Sequence, residues 1–337
     1  MWNRLDPRAL IRGPLSHVAK RLPTIVPPAE FPCRIEAIPE GSATINNKLY
    51  HEPEHAATWH AADASRELAT LRLLNSARIP YFDRIWRRQL LLGPARPGSF
   101  LEIGCGGGIA SAALAQLGYH MTGVDPAVAS LDAAREHARS TGLLERLTFV
   151  EGDAYDLSMF PEGCFDGVVM ADVLEHLYDL PAAVAQAWRV LRPGGVLVFD
   201  TVNRTFASYV LAIAVAQEGL RMVPSDTHDW RLFVQPQELA FLLQASGFLV
   251  DVTQFRGMAP TFRLQRPFAG AVRLARALRA GAPPPMPISD FVEVASLEVQ
   301  YLGWALKPAS ESGDTKRPRP FAPGELSDGL REYSRAR

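Results

Sequence analysis

The chain has 337 residues, 47% of them hydrophobic and 21% charged, with a formal net charge of −1. That composition describes a globular protein with a sizeable core, long enough for one large domain or two small ones. The near-neutral balance offers no basic field for nucleic acid, and no apolar run reaches the roughly 20 residues that a membrane-spanning helix needs. The first residues, MWNRLDPRALIRGPL, lack the apolar core of a signal peptide. Residues 1–45 carry many prolines and basic residues without periodicity, which reads as a loosely ordered extension, a targeting segment being the other reading. Cys33, Cys105 and Cys164 form no CxxC pair, so a reducing, cytoplasmic compartment is expected and neither a disulfide framework nor a structural zinc site. Over 63–92, Leu68, Leu71, Leu74, Ile85 and Leu90 recur at helical spacing, with Asp63 as N-cap and Pro80 as an interruption.

Strands and helices then alternate. Strand-like runs are SFLEI (99–103), HMTGVD (120–125), LTFV (147–150), FDGVVMA (165–171) and VLVFDT (196–201). Helical runs lie near 109–117, 127–141 and 180–191, the last opened by Pro181 and closed by RPGG (192–195). A helix near 235–246 and strand-like runs at 248–255 and 295–306 follow. This order predicts a doubly wound, Rossmann-like α/β sheet, with helices on both faces.

The stretch LEIGCGGGIA (101–110) runs a strand into Gly104, Gly106, Gly107 and Gly108 and then into a helix. Glycines there permit positive φ and close approach of a ligand, and the helix start exposes unpaired N–H groups. The diphosphate-binding G-x-G-x-x-G would need glycine where Ile109 stands. Asp125 ends the next strand, where a carboxylate accepts hydrogen bonds from a ribose diol. Asp153 and Ala154 follow the third strand, placed for an adenine amino group and a ring nitrogen. These strand ends lie side by side in such a sheet. They describe a pocket for an adenosyl group without a diphosphate.

On these motifs the sequence resembles the class I S-adenosylmethionine-dependent methyltransferases, whose sheet is mostly parallel with an antiparallel last strand. Further stretches, NSAR (75–78), DVLEH (172–176), TVNR (201–204) and RMVPSDTHDWRLF (221–233), resemble one subfamily, the O-methyltransferases of ubiquinone biosynthesis. The resemblance implies that Arg78 contacts the methionine carboxylate of S-adenosylmethionine. It implies that Gly104, Gly106 and Asp125 hold the cofactor's backbone and ribose, and that Ala171 supplies a main-chain contact. The resemblance covers roughly residues 60–260; the methyltransferase domain is expected over 46–307, with insertions near 205–233 and 263–287, the latter a departure from the family pattern, and a flexible tail over 308–337.

If a helical turn starts at Asp172, then Asp172, Glu175 and His176 share one face. Two carboxylates and an imidazole suit a divalent cation such as Mg²⁺, which would bind both oxygens of a catechol. The family pattern has glutamate at the first position, and the other reading of Asp172 is a helix cap. Methyl transfer to oxygen needs orientation and removal of one proton. His228, oriented by Asp229, and His176 are the candidate bases. The implied acceptor is a hydrophobic phenolic small molecule bearing a prenyl tail, which calls for peripheral contact with a membrane, on its inner face. FASYVLAIAVAQ (206–217) reads either as that contact or as a buried core helix. RLQRPFAGAVRLARALR (263–279) reads either as a basic interfacial helix or as a solvated segment ahead of GAPPPMP (281–287). These insertions and the long termini also fit a relative that methylates another phenol or enol in specialised metabolism.

Overall fold

The computed structural model describes residues 34–41, 45, 47–60, 66–90, 98–219, 223–224, 226–262 and 288–309. The expectations placed on Cys33, Asp63, 263–279, 281–287, 310–337 and Arg221–Met222 lie outside these residues. Within the 1–45 stretch, Arg34 and Ile35 are fully buried, so the loosely ordered reading does not extend to them.

Eight strands form one sheet: β1 Phe100–Ile103, β2 Met121–Asp125, β3 Leu147–Glu151, β4 Phe165–Ala171, β5 Leu191–Val202, β6 Arg256–Phe262, β7 Ile288–Val294 and β8 Gln300–Leu306. Their order is β3-β2-β1-β4-β5-β8-β6-β7. The pairs β3–β2, β2–β1, β1–β4 and β4–β5 are parallel, and β5–β8, β8–β6 and β6–β7 are antiparallel. The main helices are α1 Arg66–Gln89, α2 Ile109–Gln116, α3 Val128–Ser140, α4 Leu180–Val190 and α5 Pro236–Ala245. This is the Rossmann-like sheet expected, with its last strand antiparallel.

Alternation along the strands builds a core on each face. Leu101, Ile103, Leu197 and Phe199 pack with the buried faces of α4 and α5. Phe100, Val196 and Val198 pack with α1, α2 and α3. Successive side chains of a strand point to opposite faces, so one run feeds both cores. Trp86 of α1 stacks 4.3 Å from Phe100 and is fully buried; burying such a ring contributes about 3 kcal/mol.

The structure corrects the sequence reading in four places. Pro80 does not interrupt α1. A proline costs one N–H bond and crowds one carbonyl, and the burial of Tyr81, Phe82, Ile85 and Trp86 outweighs that. The expected strand at 248–255 reduces to one bridge, Leu249 with Leu306. Asp251 accepts a hydrogen bond from the Thr253 N–H, at 2.9 Å, and turns the chain before β6 begins at Arg256. β7 was not expected, because ISDFVEV breaks strict alternation. RPGG belongs to β5, where Gly194 sits at φ +76 and the register against β4 shifts. No helix among the described residues is long and apolar enough to cross a membrane.

Candidate active site

The carboxyl ends of β1, β2 and β4 meet around the glycine turn. Gly104, Gly106 and Gly108 have φ of +72, +48 and +73, a region that other residues enter at a cost. The Asp125 carboxylate accepts the Gly106 N–H at 2.8 Å and the Ala127 N–H at 2.9 Å. One side chain thus pins the turn and the start of α3. Burial raises the Asp125 pKa above its ordinary value, and these two hydrogen bonds oppose the rise. The glycines also make room for protein. A Cβ on Gly104 would lie 2.4 Å from Val173 Cγ2, and one on Gly107 would lie 2.3 Å from Trp59 Cγ. Trp59 is buried over the turn, donates to Ser130 Oγ at 3.0 Å and stacks on Tyr50. Asp153 is exposed at the end of β3, its carboxylate accepting the Tyr155 N–H at 2.9 Å, and Ala154 beside it is buried. The adenosyl-binding set fits this cradle: a positive-φ glycine turn, a pinned carboxylate on β2 and an open one after β3.

Arg78 reaches the same region from α1. Its Nε donates to Asn75 Oδ1 at 2.7 Å, and Asn75 Nδ2 donates to the Ile109 carbonyl just past the glycine turn. Arg78 Nη1 pairs with Asp172 at 2.5 Å and lies 3.7 Å from Asp200. Ala171, which pairs with Asp200 across β4–β5, precedes Asp172. Asp200 is fully buried, and burial, followed by the Asp172 charge, holds its carboxyl well above the usual range.

The expected one-face arrangement of Asp172, Glu175 and His176 does not form. Asp172 stands at φ +48, and the helical turn covers only Leu174–His176. A left-handed residue ahead of a tight turn breaks the i, i+3, i+4 alignment. Asp172 is held by Arg78, while the Glu175 carboxyl accepts the Thr201 hydroxyl at 2.7 Å. Burial, then the Asp172 charge, pushes Glu175 up to about 8. Among the described residues no group of three His, Cys, Asp or Glu could hold a metal ion. As arranged, these residues do not fit Mg²⁺: the Asp172 carboxylate is paired with the Arg78 guanidinium, the Glu175 carboxyl takes the Thr201 hydroxyl, and the two do not share a helical face.

His176 and His228 do come together, with ring centroids 5.2 Å apart. Burial lowers His176 to about 4, and burial with the neighbouring His176 lowers His228 to about 3. Asp229 does not orient His228. It accepts the Arg231 N–H and pairs with the Arg231 guanidinium at 2.5 Å, because its own turn, Trp230–Leu232, needs a cap. The His228 backbone N–H donates to Gln217 Oε1 at 2.9 Å. Gln217 lies on a π-helical segment, Tyr209–Gly219, which continues the short helix Phe206–Ser208. Trp230 Nε1 donates to the Thr205 carbonyl at 2.8 Å and ties the same segment to the loop. The 206–217 segment is neither wholly buried nor wholly exposed. Tyr209, Ile213 and Ala214 are buried, while Phe206 and Leu211 are 57% and 50% exposed.

Sequence reasoning missed Trp59, Asp200, Gln217 and Arg34. A tryptophan ahead of a glycine turn and an aspartate inside an apolar strand carry no pattern of their own. Their partners lie far along the chain.

Strand order, glycine turn and flanking carboxylates define a methyltransferase of the Rossmann-like class, and residues 101–199 match the family described as a methyltransferase domain. The ubiquinone biosynthesis O-methyltransferase of Methylobacterium nodulans is 36% identical over 59% of this chain and 80% of its own. The enzyme of the same name from Hahella chejuensis is 35% identical over 58% and 78%. A solved SAM dependent methyltransferase from Aquifex aeolicus is 11% identical, with a TM-score of 0.46 over 76% of this chain and 98% of that one. The chain belongs to the ubiquinone biosynthesis O-methyltransferase family and is an S-adenosylmethionine-dependent methyltransferase.

Proposed function

We propose that the chain methylates a phenolic hydroxyl of a polyprenylated catechol or quinol, as the names of its relatives suggest. The observation that carries the reading is the half-buried His176–His228 pair, with His176 four residues past the Asp172 that pairs with Arg78. Gly104, Gly106, Asp125, Asp153, Ala154 and Ala171 would hold the nucleoside and main-chain part of the cofactor. Arg78 and Asp172 carry the two charges complementary to its amino-acid arm, guanidinium to carboxylate and carboxylate to ammonium. When bound, S-adenosylmethionine supplies a sulfonium methyl whose C–S bond breaks as the acceptor oxygen forms its C–O bond.

The chain itself must orient the acceptor and remove the hydroxyl proton. At neutral pH both imidazoles are uncharged, as a proton acceptor must be, while burial weakens each as a base in the ligand-free protein. Mg²⁺ is not part of this proposal, for the reasons of donor chemistry given above. A peripheral contact with a membrane or a prenyl tail is supported by the exposed Phe206 and Leu211, on the segment that Gln217 ties to His228.

The test is to incubate the protein with S-adenosylmethionine and a short-chain prenylated catechol, with Mg²⁺ or with EDTA, and to follow the acceptor by mass spectrometry. A gain of one CH₂ in both conditions supports the proposal. No product with cofactor binding intact would turn the assignment to another phenol or enol.

A further inference from the structure

The chain ahead of α1 places a fully buried guanidinium between the two loops that carry the histidines. Arg34 Nε donates to the Leu232 carbonyl at 3.0 Å, and Nη2 donates to the Leu177 carbonyl. Leu177 directly follows the Leu174–His176 turn, and Leu232 closes the Trp230–Leu232 turn just after His228. The last carbonyls of such turns lack partners within the turn, and a cation there is favourable twice over, by hydrogen bonding and by charge. The segment is anchored just past this contact. Ile35 is buried in the core shared by α4 and α5, and the Ile38 N–H donates to the Tyr178 carbonyl at 3.1 Å. A second arginine supports the same loop: Arg204 donates to the Phe233 carbonyl at 3.1 Å and pairs with Glu238. Residue 34 lies outside the methyltransferase-domain match over 101–199.

We infer that Arg34 is a positioning residue for methyl transfer: it cross-links the carbonyl ends of the His176 turn and the His228 turn and so sets the spacing of the two imidazoles. This rests on the reading of those histidines as the proton acceptors. A guanidinium suits the task because its planar fork serves two acceptors at once, which an ammonium cannot do at the same spacing. Without it, two buried carbonyls lose their donor and the two loops lose a direct link between them.

The test uses the full chain with Arg34→Ala and Arg34→Lys. It reads kcat on the prenylated catechol, the Kd of S-adenosylhomocysteine, the melting temperature, and the ¹⁵N-histidine imidazole signals of His176 and His228. Arg34→Ala is expected to lower kcat by roughly ten- to a hundredfold, the scale of a small misplacement of catalytic groups. The Kd should stay unchanged, and added guanidinium ion should restore part of kcat. Arg34→Lys, the milder change in case the alanine variant does not fold, should fall between, with shifted His176 and His228 signals and an unshifted His137 signal. Unchanged kcat and unchanged imidazole signals would overturn the inference. So would a parallel loss of kcat, cofactor affinity and melting temperature without guanidinium rescue. If the unsubstituted protein binds cofactor but leaves the catechol unmethylated, the acceptor assignment fails, and the imidazole signals alone decide the role of Arg34.

Discussion

Asp125→Ala removes one carboxylate with two roles in the structure and a third, holding the ribose diol, in the proposed function. In the ligand-free protein its oxygens accept the Gly106 N–H at 2.8 Å and the Ala127 N–H at 2.9 Å. Losing one buried hydrogen-bond partner costs about 1–3 kcal/mol, and losing the second, in the turn ahead of α3, about 1 kcal/mol. The unliganded fold should therefore lose about 2–4 kcal/mol, seen as a lower urea midpoint. The third role is the ribose diol. Its loss should weaken S-adenosylhomocysteine binding by a further 1–3 kcal/mol or so, roughly five- to over a hundredfold in Kd. Asp125→Asn keeps one acceptor oxygen and should fall between wild type and alanine in both measurements. Isothermal titration calorimetry separates the two effects, since the stability loss is measured without ligand. A folded Asp125→Ala protein that binds with the wild-type Kd would refute the ribose role and leave Asp125 as a structural pin only.

Asp172→Asn should weaken S-adenosylhomocysteine binding about tenfold or more while leaving 5′-methylthioadenosine, which lacks the amino-acid arm, unaffected; equal losses for both would sink the arm assignment. The low pKa values of His176 and His228, about 4 and about 3, set a pH dependence of stability. Below the ordinary histidine value the unfolded chain takes up protons that the folded chain refuses, so stability is complete above about pH 6.5 and declines as pH falls towards about 4. His228→Gln should flatten that decline between urea midpoints at pH 7 and pH 5, and an identical slope would contradict the buried neutral imidazole. Glu238→Ala removes the carboxylate that pairs with the Arg204 guanidinium, in a contact where the Glu238 and Arg204 side chains are 7% and 5% exposed. It should cost about 3–5 kcal/mol in equilibrium unfolding, and a loss under 1 kcal/mol would show that the loop readily hydrates Arg204.

The sequence by itself determined the alternating strands and helices, the glycine turn and the aspartates at the ends of β2 and β3. These rest on short-range physics. Period-2 and period-3.6 apolar patterns specify elements, and the residues of a turn specify its backbone. The elements at 109–117, 127–141, 180–191 and 235–246 agree with α2 to α5 for that reason. What only the tertiary structure decided is which groups share a partner. DVLEH reads as a metal-binding face or a cap until Arg78, from a different helix, takes Asp172 and the left-handed backbone turns it off the helical face. Asp229 looks placed to orient His228, yet its carboxylate caps the turn that follows, and Gln217 holds the histidine backbone. Trp59 on the glycine turn and Arg34 between the two loops follow the same rule. A side chain's charge and hydrogen-bonding capacity are written in its identity, but they are spent on whatever the packed elements bring within 3 Å or so.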